Sequence, residues 1–103
     1  MIKVNVKYNN NKVYELVIKG HAGYDEHGKD IVCAAVSAMA ITTVNNIIAL
    51  DNDSIDYEEN SGLLIIRVIR DTEVNNKLLD NLVRMLTELK VQYPKNIEIR
   101  NED

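Results

Sequence analysis

The stretch from residue 20 to residue 37, Gly-His-Ala-Gly-Tyr-Asp-Glu-His-Gly-Lys-Asp-Ile-Val-Cys-Ala-Ala-Val-Ser, constrains this chain more than any other. It changes character in one step. Through Gly28 it is polar and glycine-rich, and holds both histidines, His21 and His27. From Ile31 it is an apolar run that contains the only cysteine, Cys33. Glycine permits backbone angles and close approaches that other residues resist, so the first half reads as a folded loop. Asp30 stands where an N-cap belongs, which starts a helix at Ile31 and puts Cys33 in its first turn. A thiol there faces unpaired N–H groups and the positive end of the helix dipole, an arrangement that favours thiolate. A nucleophile at one end of the loop and a histidine at the other suggest a site rather than a plain connector.

The rest of the chain can be built around that junction. Ile2, Val4, Val6 and Tyr8 alternate with Lys3, Asn5 and Lys7, the pattern of a strand with one face buried. Asn9, Asn10 and Asn11 tolerate left-handed backbone angles and mark a turn. A second strand, Val13 to Lys19, puts Tyr14, Leu16 and Ile18 on one face and completes a hairpin. It runs directly into the loop, so His21 is expected at a strand end. Residues 31–50 read as a long helix, apolar on most sides, with a core stripe of Ala34, Ala35, Ala38, Ile41, Val44 and Ile48 widened by Met39, Ile47 and Leu50. Such a helix is expected to be covered on more than one side, by the sheet and by a second subunit.

Asp51-Asn52-Asp53 ends the helix, a short strand from Ser54 to Glu59 points Ile55 and Tyr57 inward, and Asn60-Ser61-Gly62 makes a tight hairpin turn. Leu63 to Ile69 is apolar on both faces and reads as a central strand. Asp71 or Thr72 caps a second helix carrying Val74, Leu78, Leu82, Leu86 and Leu89 at helical spacing. Pro94 bounds it, and Ile97 and Ile99 mark a last strand. The order β-β-α-β-β-α-β implies an α+β fold: one domain over residues 1–103, with two helices and a mixed five-stranded sheet. The two apolar faces of the fourth strand favour one helix on each side of the sheet. The alternative is two layers, with the open face closed by dimerisation.

A chain of 103 residues is enough for one core. The net charge of −4, with basic residues that form no stripe, argues against direct nucleic-acid binding. Unbroken apolar runs are only a few residues long, so no helix is expected to span a membrane. The first residues read as a strand and not as a signal peptide. A lone cysteine forms no internal disulfide, which fits a cytoplasmic setting.

A cysteine protease needs a thiolate, a nearby imidazole to take and return the proton, and donors for the oxyanion. His21 and Cys33 can meet across a folded glycine loop, with N–H groups around Cys33 as the donors. A buried structural cysteine near a helix start is the plainer reading of the same residues. Asp30 admits two roles, an orienter for His21 and a helix cap worth about 1 kcal/mol. Ser37, one turn beyond Cys33, either touches substrate or bonds back to the helix backbone. His21, His27, Asp30 and Cys33 match no established zinc spacing, so neither a metal nor another cofactor is expected. His27 reads as an exposed loop residue.

Gly20-His21-Ala22, followed after a short loop by Gly28-Lys29-Asp30-Ile31-Val32-Cys33-Ala34-Ala35-Val36-Ser37, resembles the ribosomal-processing cysteine protease family. Chain length and element order fit that family too. The resemblance implies a cysteine endopeptidase that removes an N-terminal extension from a large-subunit ribosomal protein, cutting after a pair of aromatic residues and before a small one. It implies His21 as the catalytic histidine, Cys33 as the nucleophile, and a homodimer. Gly20 and Ala22 become candidate substrate contacts, with Ser37 near the site, and Gly23, Tyr24 and Gly28 parts of a mobile flap over the substrate. Two rival readings use the same residues: a non-enzymatic ribosome-associated binding module, and a redox sensor built on Cys33.

Overall fold

In the computed structural model the described residues are 1–20, 23, 26 and 30–103. The elements are β1 (Ile2–Asn9), β2 (Lys12–Lys19), α1 (Ile31–Leu50), β3 (Ile55–Asn60), β4 (Leu63–Val68), α2 (Glu73–Gln92) and β5 (Ile97–Glu102). The strands lie in the order β3-β4-β2-β1-β5. β1 and β5 pair in parallel and the other neighbours antiparallel, which makes the sheet mixed and the fold α+β, as the element order implied. Asn10 and Asn11 turn the first hairpin at φ 54° and 63°, left-handed values that asparagine tolerates. Gly62 turns the second at φ 75°.

Both helices lie on the same face of the sheet, so the expectation of one helix per face is corrected to two layers. Val4, Ile18 and Leu64 form one cross-strand row and Val6, Leu16 and Ile66 the next, and all six are buried. α1 and α2 pack against each other above them. The opposite face carries charge. Glu15 lies 3.3 Å from Lys7 and 3.6 Å from Arg67, and Arg67 lies 3.7 Å from Glu58. The second apolar face of β4 does not require a helix, because Ile65 sits between Val17 and Glu58 on the adjoining strands and is half-covered by them. β4 is an interior strand, with β2 in the middle of the five.

Three further expectations about burial are corrected. Tyr14 is 42% exposed, because the β1–β2 register passes from Lys7 opposite Glu15 to Tyr8 opposite Val13 and skips it; Val13 turns inward instead. Such a bulge re-aims a side chain without changing the alternating pattern on either side. Tyr57 is 45% exposed, although it pairs with buried Ile66. β3 is an edge strand, and only Ile55 at its start is buried. The buried stripe of α1 is Val32, Val36, Ala40, Val44 and Ile47, rotated from the expected one. Ala34, Ala38, Ile41 and Leu50 are exposed. A helix apolar on nearly every side gives no phase, so packing decides which face turns in.

With 20 residues and an 18-residue window of mean hydropathy 1.8, α1 is long and apolar enough to cross a membrane by length and composition, contrary to the expectation from its short apolar runs. In this fold its five buried residues belong to the same core as the sheet and α2.

The second helix follows its pattern. Thr72 is the cap, and Leu79, Leu82 and Leu86 are buried, while Val74 is exposed. The Asn75 N–H donates to Thr72 Oγ1 and the Thr72 N–H donates to Asn75 Oδ1, both at 3.1 Å. Asn75 Nδ2 also donates to the Arg70 carbonyl at 2.7 Å, so this fully buried asparagine is satisfied.

Candidate active site

The site is assembled where β2 ends and α1 begins. Gly20 closes β2 at φ 94°, and a Cβ there would stand 2.6 Å from the Met1 carbonyl oxygen. Its N–H donates to the Gly62 carbonyl at 2.9 Å, which ties the end of β2 to the β3–β4 turn. Only glycine meets both conditions. Gly23 has φ 70° with open space around it, so there the backbone angle alone favours glycine. His21, Ala22, Tyr24, Asp25, His27, Gly28 and Lys29 lie outside the described residues. The expected base His21, the substrate contact Ala22 and the flap residues Tyr24 and Gly28 are among them.

Asp30 caps α1 from an extended backbone, φ −75° and ψ 103°. Its Oδ1 accepts from the N–H groups of Val32 and Cys33, each at 3.0 Å, and its carbonyl accepts from Ala34 at 3.1 Å. The carboxylate is buried. This corrects the expectation that Cys33 faces unpaired amides. The cap holds the N–H groups of Cys33 and Val32, so as they stand neither is open to a substrate oxyanion. What the cap does provide is a fixed helix start, which sets where Cys33 projects.

Cys33 is half-buried and packs against the core on one side. On the other it opens into a groove of about 800 Å³. α1 forms one wall with Cys33, Ser37 and Ile41. The β3–β4 turn, from Glu59 to Leu64, forms the other, and Ile2 and Ile18 of the sheet line it as well. The groove exists because β3 leaves the helix layer: Ile55 is buried at its start, while Tyr57 and Glu59 further along are exposed. Gly20, Gly23 and Asp30 line it too. Ser37 therefore shares the groove with Cys33, one turn along the same helix.

The β3–β4 wall was not visible in the sequence. Asn60-Ser61-Gly62 signalled a turn, but its place beside the cysteine comes from the pairing of Lys19 with Leu63 and the Gly20–Gly62 bond. Among the described residues no three metal-ligating side chains come together. A half-buried thiol in the first turn of a capped helix, facing a groove of about 800 Å³, is suited to nucleophilic attack on a bound carbonyl.

Comparison with known proteins agrees with that chemistry. The ribosomal processing cysteine protease Prp of Staphylococcus aureus is 34% identical over 106 residues, covering 96% of this chain and 97% of that protein. The protein of the same name from Mycoplasma genitalium is 32% identical over 104 residues, covering 99% and 97%. A crystal structure of the S. aureus protease with a covalently linked product peptide superposes with a TM-score of 0.94 at 30% identity, covering 99% of this chain and 100% of that one. Its complex with a substrate peptide gives 0.81 at the same identity and coverage. The model of the family described as cysteine protease Prp matches residues 1–98, and the chain belongs to that family of hydrolases.

Proposed function

We propose that this chain removes the N-terminal extension of a large-subunit ribosomal protein, with Cys33 as nucleophile and His21 as base. The observation that carries the reading is the position of Cys33: first turn of α1, fixed by the Asp30 cap, at the wall of an open groove of about 800 Å³. The S. aureus relative, a ribosomal processing protease, holds a substrate peptide in one structure and a covalently linked product peptide in another.

In this mechanism the His21 imidazole takes the Cys33 thiol proton, and Sγ attacks the scissile carbonyl carbon. The carbonyl electron pair moves to oxygen, and the C–N bond breaks as the imidazolium returns the proton to the leaving amine. Water, deprotonated by the same imidazole, then attacks the thioester and releases the acid and the free thiol. The oxyanion needs donors other than the Val32 and Cys33 amides as the cap now holds them. Gly20, Ala22 and Ser37 contact the peptide, and Gly23, Tyr24 and Gly28 belong to a flap that closes over it. Asp30 acts chiefly through the cap. The enzyme works in the cytoplasm as a homodimer, a state favoured by the exposed apolar residues of α1 outside the groove lining, Ile31, Ala38 and Leu50.

Incubation with a peptide spanning the extension, read by mass spectrometry, tests the reading. One cut after the aromatic pair and before the small residue is expected from the native chain. Intact peptide with measurable binding would instead make the chain a binding module.

A further inference from the structure

The described lining of the groove contains two charged side chains, Asp30 and Glu59, and both are acidic; no lysine or arginine is among them. Asp30 is committed to the helix cap. Glu59 is not committed in that way. It stands opposite Leu64, which stands opposite Ile18, so its side chain belongs to the groove face of the sheet. Its neighbour Glu58 points to the other face, 3.7 Å from Arg67. Among the described residues no cation pairs with Glu59. A carboxylate on a groove wall with no cation partner among the described residues attracts a passing cation, and because Glu59 is exposed the attraction is that of one solvated ion pair.

We propose that Glu59 is a specificity-determining residue that selects peptides carrying lysine or arginine within a few residues of the scissile bond. The proposal rests on the protease reading and adds the charge of the substrate to it. The selection is electrostatic and involves no covalent step. A lysine is attracted by Glu59 and a glutamate at the same position repelled, so the two effects add in the ratio of their rates.

The test is a positional scan. Peptides spanning the extension carry Lys, Gln or Glu at one position at a time on either side of the cut, and kcat/KM is measured for the native chain, Glu59→Gln and Glu59→Lys. At one position the native chain should prefer Lys to Glu by about tenfold, the sum of two effects each the size of one ion pair. Added salt should shrink that ratio. Glu59→Gln should bring it close to one and Glu59→Lys should invert it. A ratio near one at every position in the native chain overturns the role of Glu59, as does a Lys preference that survives unchanged in Glu59→Gln. In both cases the peptides are still cut and the protease reading stands. Failure to cut any of them overturns both.

Discussion

The two helices are equally long, 20 residues each, yet their first turns differ in almost everything else. α2 starts with a neutral, reciprocal cap between Thr72 and Asn75 and is held by surrounding ties. Lys12 reaches Asp71 at 2.9 Å, Arg70 reaches Asp51 at 2.6 Å, and Asn75 holds the Arg70 carbonyl. α1 starts with a buried carboxylate that gathers two amides, and beside it is a thiol facing a groove. One helix start joins pieces of the fold, and the other borders a groove. A helix terminus leaves unsatisfied N–H groups in either case. Among the described residues, the α2 start is tied into the fold by side-chain pairs, whereas the α1 start lines a groove that can take a ligand.

The sharpest break between the two starts is expected from the thiol. Cys33→Ala should remove cleavage altogether, a loss on the order of a thousandfold or more, while leaving the unfolding midpoint within a few degrees of the native chain. A variant still cutting within a few-fold of native would move the nucleophile elsewhere. His21→Ala should lose a comparable amount and His27→Ala little, since a base needs hydrogen-bond reach to its proton. The reverse result would reassign the base to His27.

Truncation in α2 should do the opposite. Leu82 is buried in the core, and Leu82→Ala should lower stability by about 2–5 kcal/mol. Where the variant is still folded, kcat/KM should be unchanged. Ile41→Ala, on the exposed side of α1 and in the groove wall, should cost little stability and instead raise KM. Urea titration and steady-state kinetics on the two variants separate the roles; equal stability losses would show that α1 is as much a core helix on its outer face as α2 is on its inner one.

The same contrast explains what could be read from the sequence. α2 was legible because its leucines recur on one side only, and a serine-like cap residue precedes them. β1, the two hairpin turns and the Asp30 cap were legible for similarly local reasons. The phase of α1 was not, because Ala34, Ala38 and Ile41 are as apolar as Val36, Ala40 and Val44, and only contact with the sheet chooses between them. The exposure of Tyr14 depends on a register shift, and that of Tyr57 on β3 being an edge strand, neither of which is a local property. At the site, Gly20, Asp30 and Cys33 stood out by residue type and spacing. Glu59 did not, because it reaches the groove only through strand pairing. The capping role of Asp30 was legible, but its consequence for the Cys33 amide needed the bond geometry.

Removing each cap sharpens the comparison at a smaller scale. Thr72→Ala should cost about 1 kcal/mol and leave the kinetics of the folded protein unchanged. Asp30→Ala should cost a similar amount and also lower kcat, because the turn that positions Cys33 loses its anchor. Asp30→Asn keeps an oxygen that can accept from the same amides, so it should recover most of both. If Asp30→Asn restores stability but not kcat, the charge of Asp30 matters to the reaction beyond the cap.

The smallest effect is expected at the tie between the start of α2 and the first hairpin. The Lys12 ammonium beside Asp71, with a further contribution from Asn76, holds the Asp71 carboxyl below the usual aspartate range. A carboxyl whose value is depressed in the folded state contributes stability that is present above its unfolded value, about 3.9. That contribution disappears as pH falls through the lower folded value, where both states are protonated. The pair is exposed to solvent, so its contribution at neutral pH should be slight and further reduced by salt. Melting curves from neutral pH down to about pH 2 should therefore show Asp71→Asn slightly less stable than native near neutrality and the two converging in acid. A gap that stays constant across that range would mean that Asp71 supports the α2 start by some means other than its charge. Cleavage at neutral pH should not register the substitution at all, since Asp71 belongs to the helix start that carries no chemistry.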